Sequence, residues 1–402
     1  MKYHDIITYI TGTEVKHLIA DKKIAGIICE YNPFHNGHKY QIEKTKSECD
    51  CEYVICAMSG SMVQRGDVAI YDKWVRARAA VQNGADLVVE LPCYYVLQSA
   101  KNFALGGVEL LSRLGVVDVL SFGSETGDTS HLMQTAKILS DEPKEFKSVL
   151  EKHLDEGLGY PSAFQKALST IGIAELGPND ILGANYIAAL KTLGSSIEPF
   201  VIKRNVPYHS EEAIKNDFAS ATAIRAMIET GKDISEYVPD KTEYATYDLH
   251  NIESMILGFF RLCDPNQIKN IIGMEEGLEN RLISAARKAT SLDEFVELVV
   301  SKRYTTHRVR RVMLACIMGM SGARQMDYVR ILAFNQKGRE LLGEIKKKTD
   351  LKIITKTADS NQRADSMFEF DILATDIAAL CCADSTLKIS GRDFLKSVEI
   401  AD

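Results

Sequence analysis

Short apolar runs rich in β-branched residues alternate with more polar, helix-like stretches through the first third of the chain. Ile24–Cys29, Tyr53–Ala57, Leu87–Glu90 and Val117–Phe122 have the length and composition of buried strands. Between them Lys39–Ser47, Lys73–Asn83 and Gln98–Leu114 read as helices, the last with apolar positions at helical spacing. Strands that alternate with helices predict a parallel sheet with right-handed crossovers, whose ligands sit at the carboxyl ends of the strands. The first half is therefore expected to be an α/β, Rossmann-like domain. From Ser130 to about Thr230 helix predominates, interrupted by Pro161, Pro178 and a strand at Glu198–Ile202 that can extend the same sheet. Beyond Asp240 the pattern is mostly helical, at Ile252–Arg261, Gly277–Lys288, Ser291–Val300 and Arg308–Met318. Short strands at Tyr328–Phe334 and Leu351–Thr355 then flank a helix at Lys337–Lys348. The change of pattern between Glu229 and Tyr247 predicts three parts: an extension over 1–22, the Rossmann-like domain over 23–235, and a mostly α-helical (α+β) domain over 236–402.

Composition narrows the class. At 402 residues the chain exceeds the usual size of one core, which agrees with more than one domain. It is 46% hydrophobic and 26% charged, and no apolar run approaches the ~20 residues that span a bilayer. The segment Met1–Lys22 lacks both a basic start and a sustained apolar centre, so it does not read as a secretory signal. Nine cysteines lack metal-site spacing and are expected to be reduced thiols of a cytoplasmic protein. A net charge of -7 argues against indiscriminate nucleic-acid binding while leaving room for a local basic surface.

The candidate chemistry follows the first strand. Glu30-Tyr31-Asn32-Pro33-Phe34-His35-Asn36-Gly37-His38 leads into a helix. Pro33 punctuates the turn, and Gly37 removes a side chain where backbone can approach a phosphate. A helix N-terminus offers N–H groups and a favourable dipole to an anion. His35 and His38 are placed to direct ring N–H donors at an α-phosphate and to stabilise charge as pyrophosphate leaves. No Ser-His-Asp or Cys-His arrangement stands out in the sequence.

Several ordered strings carry a family resemblance: EYNPFHNGH, MSGSMVQRGDVAIYDKW, NGADLVVELP, SAKNFALGG and SFGSE. Together they resemble the bacterial tRNA(Met) cytidine acetate ligases of the HxGH nucleotidyltransferase superfamily, from about Lys23 into the C-terminal region. The resemblance implies that acetate and ATP form acetyl-adenylate, and that the acetyl group passes to the wobble cytidine of elongator tRNA(Met), giving N4-acetylcytidine. It implies an ATP loop from Ile28 to Gln41, including Glu30, Asn32, Pro33, Phe34, His35, Asn36, Gly37 and His38, with His35 and His38 catalytic. Further nucleotide contacts are implied at Gly123, Asn179 and Arg204, with Asn185 an alternative to Asn179. Asn179 reads equally as a helix N-cap. In FASATAIR the residues Ser220, Thr222 and Arg225 resemble the second superfamily signature, which grips the β- and γ-phosphates, although Ser220 as an N-cap accounts for its position too. Mg2+ is the expected companion of ATP, held largely by phosphates and water, and no protein ligand is assigned to it.

The loop after the second strand is where a second substrate would meet the nucleotide. Gly60 and Ser61 suit a two-carbon pocket and Arg65 a carboxylate, against the alternative that Arg65 pairs with Asp67. The densest basic stretch, SKRYTTHRVRR, offers Lys302, Arg303, Arg308, Arg310 and Arg311 to RNA phosphates and Tyr304 to a base, against the alternative of a solvated helix face. Lys346–Lys348 reads as a helix C-terminus set against its dipole. Two other functions stay open here. One is an HxGH nucleotidyltransferase acting on a small phosphorylated acceptor, and the other is a non-catalytic, ATP-regulated RNA-binding protein.

Overall fold

The computed structural model describes residues 22–204, 218–359 and 366–401. All but the last residue of the N-terminal extension lies outside them. Lys23–Cys29 (β1), Cys51–Ser59 (β2), Leu87–Leu91, Val119–Ser124 and Glu198–Lys203 pair in parallel, in the spatial order Leu87–Leu91, β2, β1, Val119–Ser124, Glu198–Lys203. Two residues each at Met62–Val63 (β3) and Asp67–Val68 (β4) form a separate antiparallel hairpin in the loop after β2, a feature the sequence did not predict. With the hairpin counted, the remaining parallel strands are β5 (Leu87–Leu91), β6 (Val119–Ser124) and β7 (Glu198–Lys203). The crossovers that link them include the helices Asn36–Glu48 (α1), Lys73–Gln82 (α2), Ala100–Arg113 (α3) and Pro178–Leu193 (α4).

This order has one functional consequence. The chain builds outward from β1 to β2 and β5, then returns to place β6 and β7 on the other side of β1. The order reverses between β1 and β6, and the carboxyl ends of the strands at such a reversal are the place where open α/β sheets bind ligands. Close packing under it uses glycine: a Cβ on Gly107 of α3 would stand 2.6 Å from Cδ1 of Ile28.

The segment expected to form a separate C-terminal domain divides differently in space. Tyr328–Phe334 (β8) joins β5 antiparallel, with Leu87 opposite Phe334, so the large sheet is continued by residues far along the chain. Lys352–Ile354 (β9) and Glu399–Ile400 (β10) then pair with β8 in parallel. Local pattern marks β8 as a buried strand but carries no information about which sheet it enters. The helices between, including Thr306–Ile317 (α6, after Ala221–Glu229 as α5), form the mostly helical part. Among the described residues no helix is long and apolar enough to cross a membrane.

A buried ionic network fastens the two parts of the sheet. Lys73 on α2 donates to Glu90 on β5 at 2.8 and 3.0 Å and lies 3.0 Å from Asp393, which also pairs with Arg330 of β8 at 3.1 Å. All four side chains are at most 1% exposed. Burial works against ionisation at Asp393, but Lys73 and Arg330 outweigh it and hold the carboxyl below its usual range. Asp371, on the helix Phe368–Leu380, accepts from the Cys93 N–H at 2.7 Å and from the Tyr328 hydroxyl. Burial, reinforced by Glu90, pushes its carboxyl well above the ordinary range.

Candidate active site

β1 ends at Cys29, Tyr31 turns the chain in the left-handed region at φ +48, and a cis bond joins Asn32 to Pro33. His35 is then the N-cap of α1. Its Nδ1 accepts the Gly37 N–H at 3.1 Å, while Nδ1 of His38 accepts the His35 N–H at 3.3 Å. This reciprocal capping box fixes both rings, which stack with centroids 3.7 Å apart, and Tyr31 and Phe34 pack on His38 at 4.7 and 5.7 Å. Because each Nδ1 accepts a hydrogen bond, the neutral tautomer of each ring carries its proton on Nε2 and presents it as a donor.

Both rings are neutral at physiological pH. Burial, followed by Arg204 and then Arg225, lowers His35 to about 3. Burial, followed by His35 and Arg204, takes His38 well below its ordinary value. Unfolded histidine titrates near ~6.5, so the unfolded chain binds protons that the folded His35 refuses. The contribution of this residue to stability is complete above about pH 6.5 and is lost as pH falls toward about 3. We therefore predict that urea midpoints measured from about pH 7 to about pH 4 fall less steeply in His35→Gln than in the parent protein. Parallel curves would contradict the assigned neutral state.

The structure corrects the expectation for the helix start. The N–H groups at the helix start are not open to a phosphate. Asn36 N–H donates to the Tyr237 carbonyl at 2.9 Å, Gly37 N–H to His35, and His38 N–H to the His35 carbonyl at 2.8 Å. Gly37 makes room for the His35 ring, since a Cβ there would stand 2.9 Å from His35 Cε1. The donors left for an anion are side chains. Arg225 on α5 reaches the Asn32 carbonyl at 2.7 Å and Thr222 Oγ1 at 3.2 Å, which brings the second signature against the first. Ser220 caps α5 through the Ala223 N–H at 3.1 Å. Arg204 follows β7 and crosses over Gly123, where a Cβ would stand 3.1 Å from its Cγ. Gly123 thus makes room for the arginine.

Other expected contacts have structural work. The side chain of Ile28 packs against α3. Glu30 Oε1 accepts the Gln64 N–H at 2.6 Å, Asn32 Oδ1 the Ile70 N–H at 2.7 Å, and the Asn36 amide donates to the Glu236 carbonyl at 2.9 Å. Gln41 is half-buried on α1, and its carbonyl accepts from Thr45 at 2.8 Å. Asn179 is not an N-cap, because α4 starts at Pro178 with Gly177 as its cap. Its amide donates to Glu125 Oε1 at 2.6 Å. Asn185 bonds back to the Ile181 carbonyl at 2.8 Å.

Sequence reasoning passed over Glu125, Asp180 and Arg76. Glu125 accepts the N–H groups of Asn179 and Asp180 at 3.0 and 2.8 Å, and Asp180 in turn accepts the N–H groups of Glu125 and Thr126 at 3.0 and 3.3 Å, clasping the end of β6 to the start of α4. Arg76, 1% exposed, donates to the carbonyls of Glu30, Ser59, Gly60 and Tyr71 and so ties together the loops after β1 and β2. An arginine on the inward face of α2 was the signal available for it.

The second-substrate loop is fuller than expected. A methyl group on Gly60 would fall onto the Glu90 carboxylate, and Ser61 is buried with its hydroxyl 3.1 Å from that of Thr375. Arg65 is half-buried, and Asp67 pairs with Arg310 at 2.6 Å. The basic stretch is likewise largely engaged inside the molecule. Arg303 pairs with Glu275 at 2.7 Å, Arg308 also bonds Glu275, and Arg311 donates to the Gln64 carbonyl at 2.9 Å. Tyr304 is buried, so it is not a surface platform for a base. Lys302 and Arg303 lie at the surface.

A sheet reversal at β1 and β6, a histidine-capped first helix and two arginines near His35 come together in one region, and the class of protein with this fold is the nucleotidyl transferases. The HIGH Nucleotidyl Transferase family model matches residues 22–392. Within that class the chain belongs to the tRNA(Met) cytidine acetate ligase family. The relative from Thermoanaerobacter sp. (strain X514) is 39% identical over 397 residues, covering 92% of this chain and 98% of its own length. That from Acetivibrio thermocellus is 36% identical over 417 residues, covering 94% and 100%. Both carry the family's name. The crystal structure of Thermotoga maritima TmcAL bound with alpha-thio ATP is 31% identical, with a TM-score of 0.83 over 94% of this chain and 99% of that one. The apo form of the same protein gives a TM-score of 0.86.

Proposed function

We propose that this chain uses ATP to activate acetate and then acetylates the wobble cytidine of elongator tRNA(Met). An acetate oxygen attacks the α-phosphorus and pyrophosphate leaves. The exocyclic amine of the cytidine then attacks the carbonyl of acetyl-adenylate, losing a proton as AMP departs and N4-acetylcytidine forms. The observation that carries this reading is the pair of neutral, Nε2-protonated histidines with Arg204 and Arg225 beside them. Neutral donors stabilise the charge that grows on phosphate oxygens without first having to shed water, and the arginines grip the departing pyrophosphate.

Of the residues expected near acetate, Arg65 is the proposed partner of the carboxylate. Among the described residues no group of three or more His, Cys, Asp or Glu side chains is arranged to hold a metal ion. Mg2+ enters the proposal as the companion of ATP, and no step is routed through it. The nine cysteines are free, which suits a cytoplasmic site of action. Acetate-dependent exchange of labelled pyrophosphate into ATP tests the first step. Exchange that needs acetate supports it, and exchange indifferent to acetate contradicts it.

For tRNA we propose the surface around Lys302 and Arg303. The exposed pairing of Arg303 with Glu275 is worth little, so phosphate can displace it. The double change of Lys302→Ala and Arg303→Ala is expected to weaken tRNA binding and to reduce the slope of log affinity against log salt by about 2, with adenylate formation unchanged. A salt titration of tRNA affinity measures this, and an unchanged slope removes the surface from the proposal.

A further inference from the structure

α6 meets the catalytic part of the chain at the hairpin loop after β2. Gly66, at φ +77, lies flush against the helix, where a Cβ would stand 2.5 Å from Arg311 N. Arg310 reaches across to Asp67 at 2.6 Å, and Arg311 Nη1 donates to the Gln64 carbonyl at 2.9 Å. The other main-chain group of Gln64 faces the opposite way, its N–H donating to Glu30 Oε1 at 2.6 Å, and its side chain reaches the Gln98 carbonyl at 3.3 Å. Glu30 is the first residue beyond β1, and Arg76 holds its carbonyl. One residue of the loop thus stands between a guanidinium of the helical part and the carboxylate that opens the histidine loop.

We propose that Arg311 is a positioning residue for the adenylation step, acting through the backbone of Gln64 on Glu30 and so on the loop that carries His35 and His38. The inference rests on the reading of that loop as the ATP site. Its physical content is geometric. Gln64 is held from both sides, and the glycine two residues on gives the loop freedom to move once either hold is released. Without Arg311 the Gln64 N–H no longer meets Glu30 in a fixed place, and Glu30, where the histidine loop starts, is held at its carbonyl by Arg76 but no longer at its carboxylate. The helical part thereby sets the shape of the ATP loop from a residue whose charge alone reads as an RNA contact.

The test is equilibrium binding of ATP, with acetate absent, to the full chain and to Arg311→Met, Glu30→Ala and the double variant, each checked for melting temperature. Arg311→Met is expected to weaken ATP about tenfold in the parent background and to have no further effect when Glu30 is already alanine, because both changes break one path. An equal loss in both backgrounds, or an Arg311→Met protein that binds ATP like the parent, overturns the proposal. Should Arg311→Met not fold, Arg311→Gln is read by the same two outcomes. Absence of ATP binding by the parent protein would instead refute the ATP-site reading itself.

Discussion

Replacing His38 by alanine lowers acetyl-adenylate formation by about 10²–10³-fold, the usual cost of deleting one preorganised donor from a developing oxyanion. The ring is held on three sides, by His35 at 3.7 Å, Tyr31 at 4.7 Å and Phe34 at 5.7 Å, and its Nδ1 is occupied by the His35 N–H. Its one remaining ring donor, Nε2–H, is therefore aimed before substrate arrives. Neutrality of both rings also lets them stack without mutual repulsion. The loss is expected in the rate of acetate-dependent pyrophosphate exchange, with only a small change in melting temperature because the α1 cap provided by His35 remains. Exchange at near the parental rate would remove His38 from the chemistry.

Replacing Lys73 by methionine is expected to be the most destabilising single change in the ionic network. It leaves Glu90 and Asp393 without the ammonium that both approach at about 3 Å in a site closed to water. Removing one partner of a buried ion pair costs about 3–5 kcal/mol, a large part of the ~5–15 kcal/mol that holds a domain together. Converting Glu90 to Gln in the same protein removes one of the stranded charges and is expected to recover part of the loss. The single tryptophan of the chain, Trp74, lies with its ring 4.9 Å from the Lys73 ammonium, so its fluorescence reports urea unfolding at the network. A midpoint unchanged in Lys73→Met would show that the network does not secure β5 to β8.

What the sequence disclosed depended on the range of the interaction concerned. β1, β2, β5 and β6 were legible because a buried parallel strand is a short apolar run, and a run is a local property, while β7, a half-buried edge strand, shows the same kind of run in weaker form. The sheet that β8 enters was not, because its partner β5 lies far back in the chain and antiparallel addition leaves no mark on residues 328–334 themselves. The histidine motif was found by residue type and by its place between strand and helix. The engagement of the first helical N–H groups was not legible, because their acceptors are the His35 ring and the Tyr237 carbonyl, and the second of these is supplied from far along the chain.

The basic stretch shows the same limit. A cluster of arginines has one appearance in sequence whether it faces phosphates or carboxylates, and the partners that decide the matter, Glu275 and Asp67, are 33 residues from Arg308 and 243 from Arg310. Only Lys302 and Arg303 keep the surface position the RNA reading requires. Gly60 and Ser61 were chosen for their small size, which the fold uses to admit Glu90 and Thr375.

The account turns on the product of the second step. Elongator tRNA(Met) incubated with the protein, ATP, Mg2+ and isotopically labelled acetate, then digested to nucleosides and analysed by mass spectrometry, is expected to contain labelled N4-acetylcytidine in amounts that depend on both ATP and acetate. Unmodified cytidine in a reaction that has consumed ATP and released AMP and pyrophosphate would contradict it.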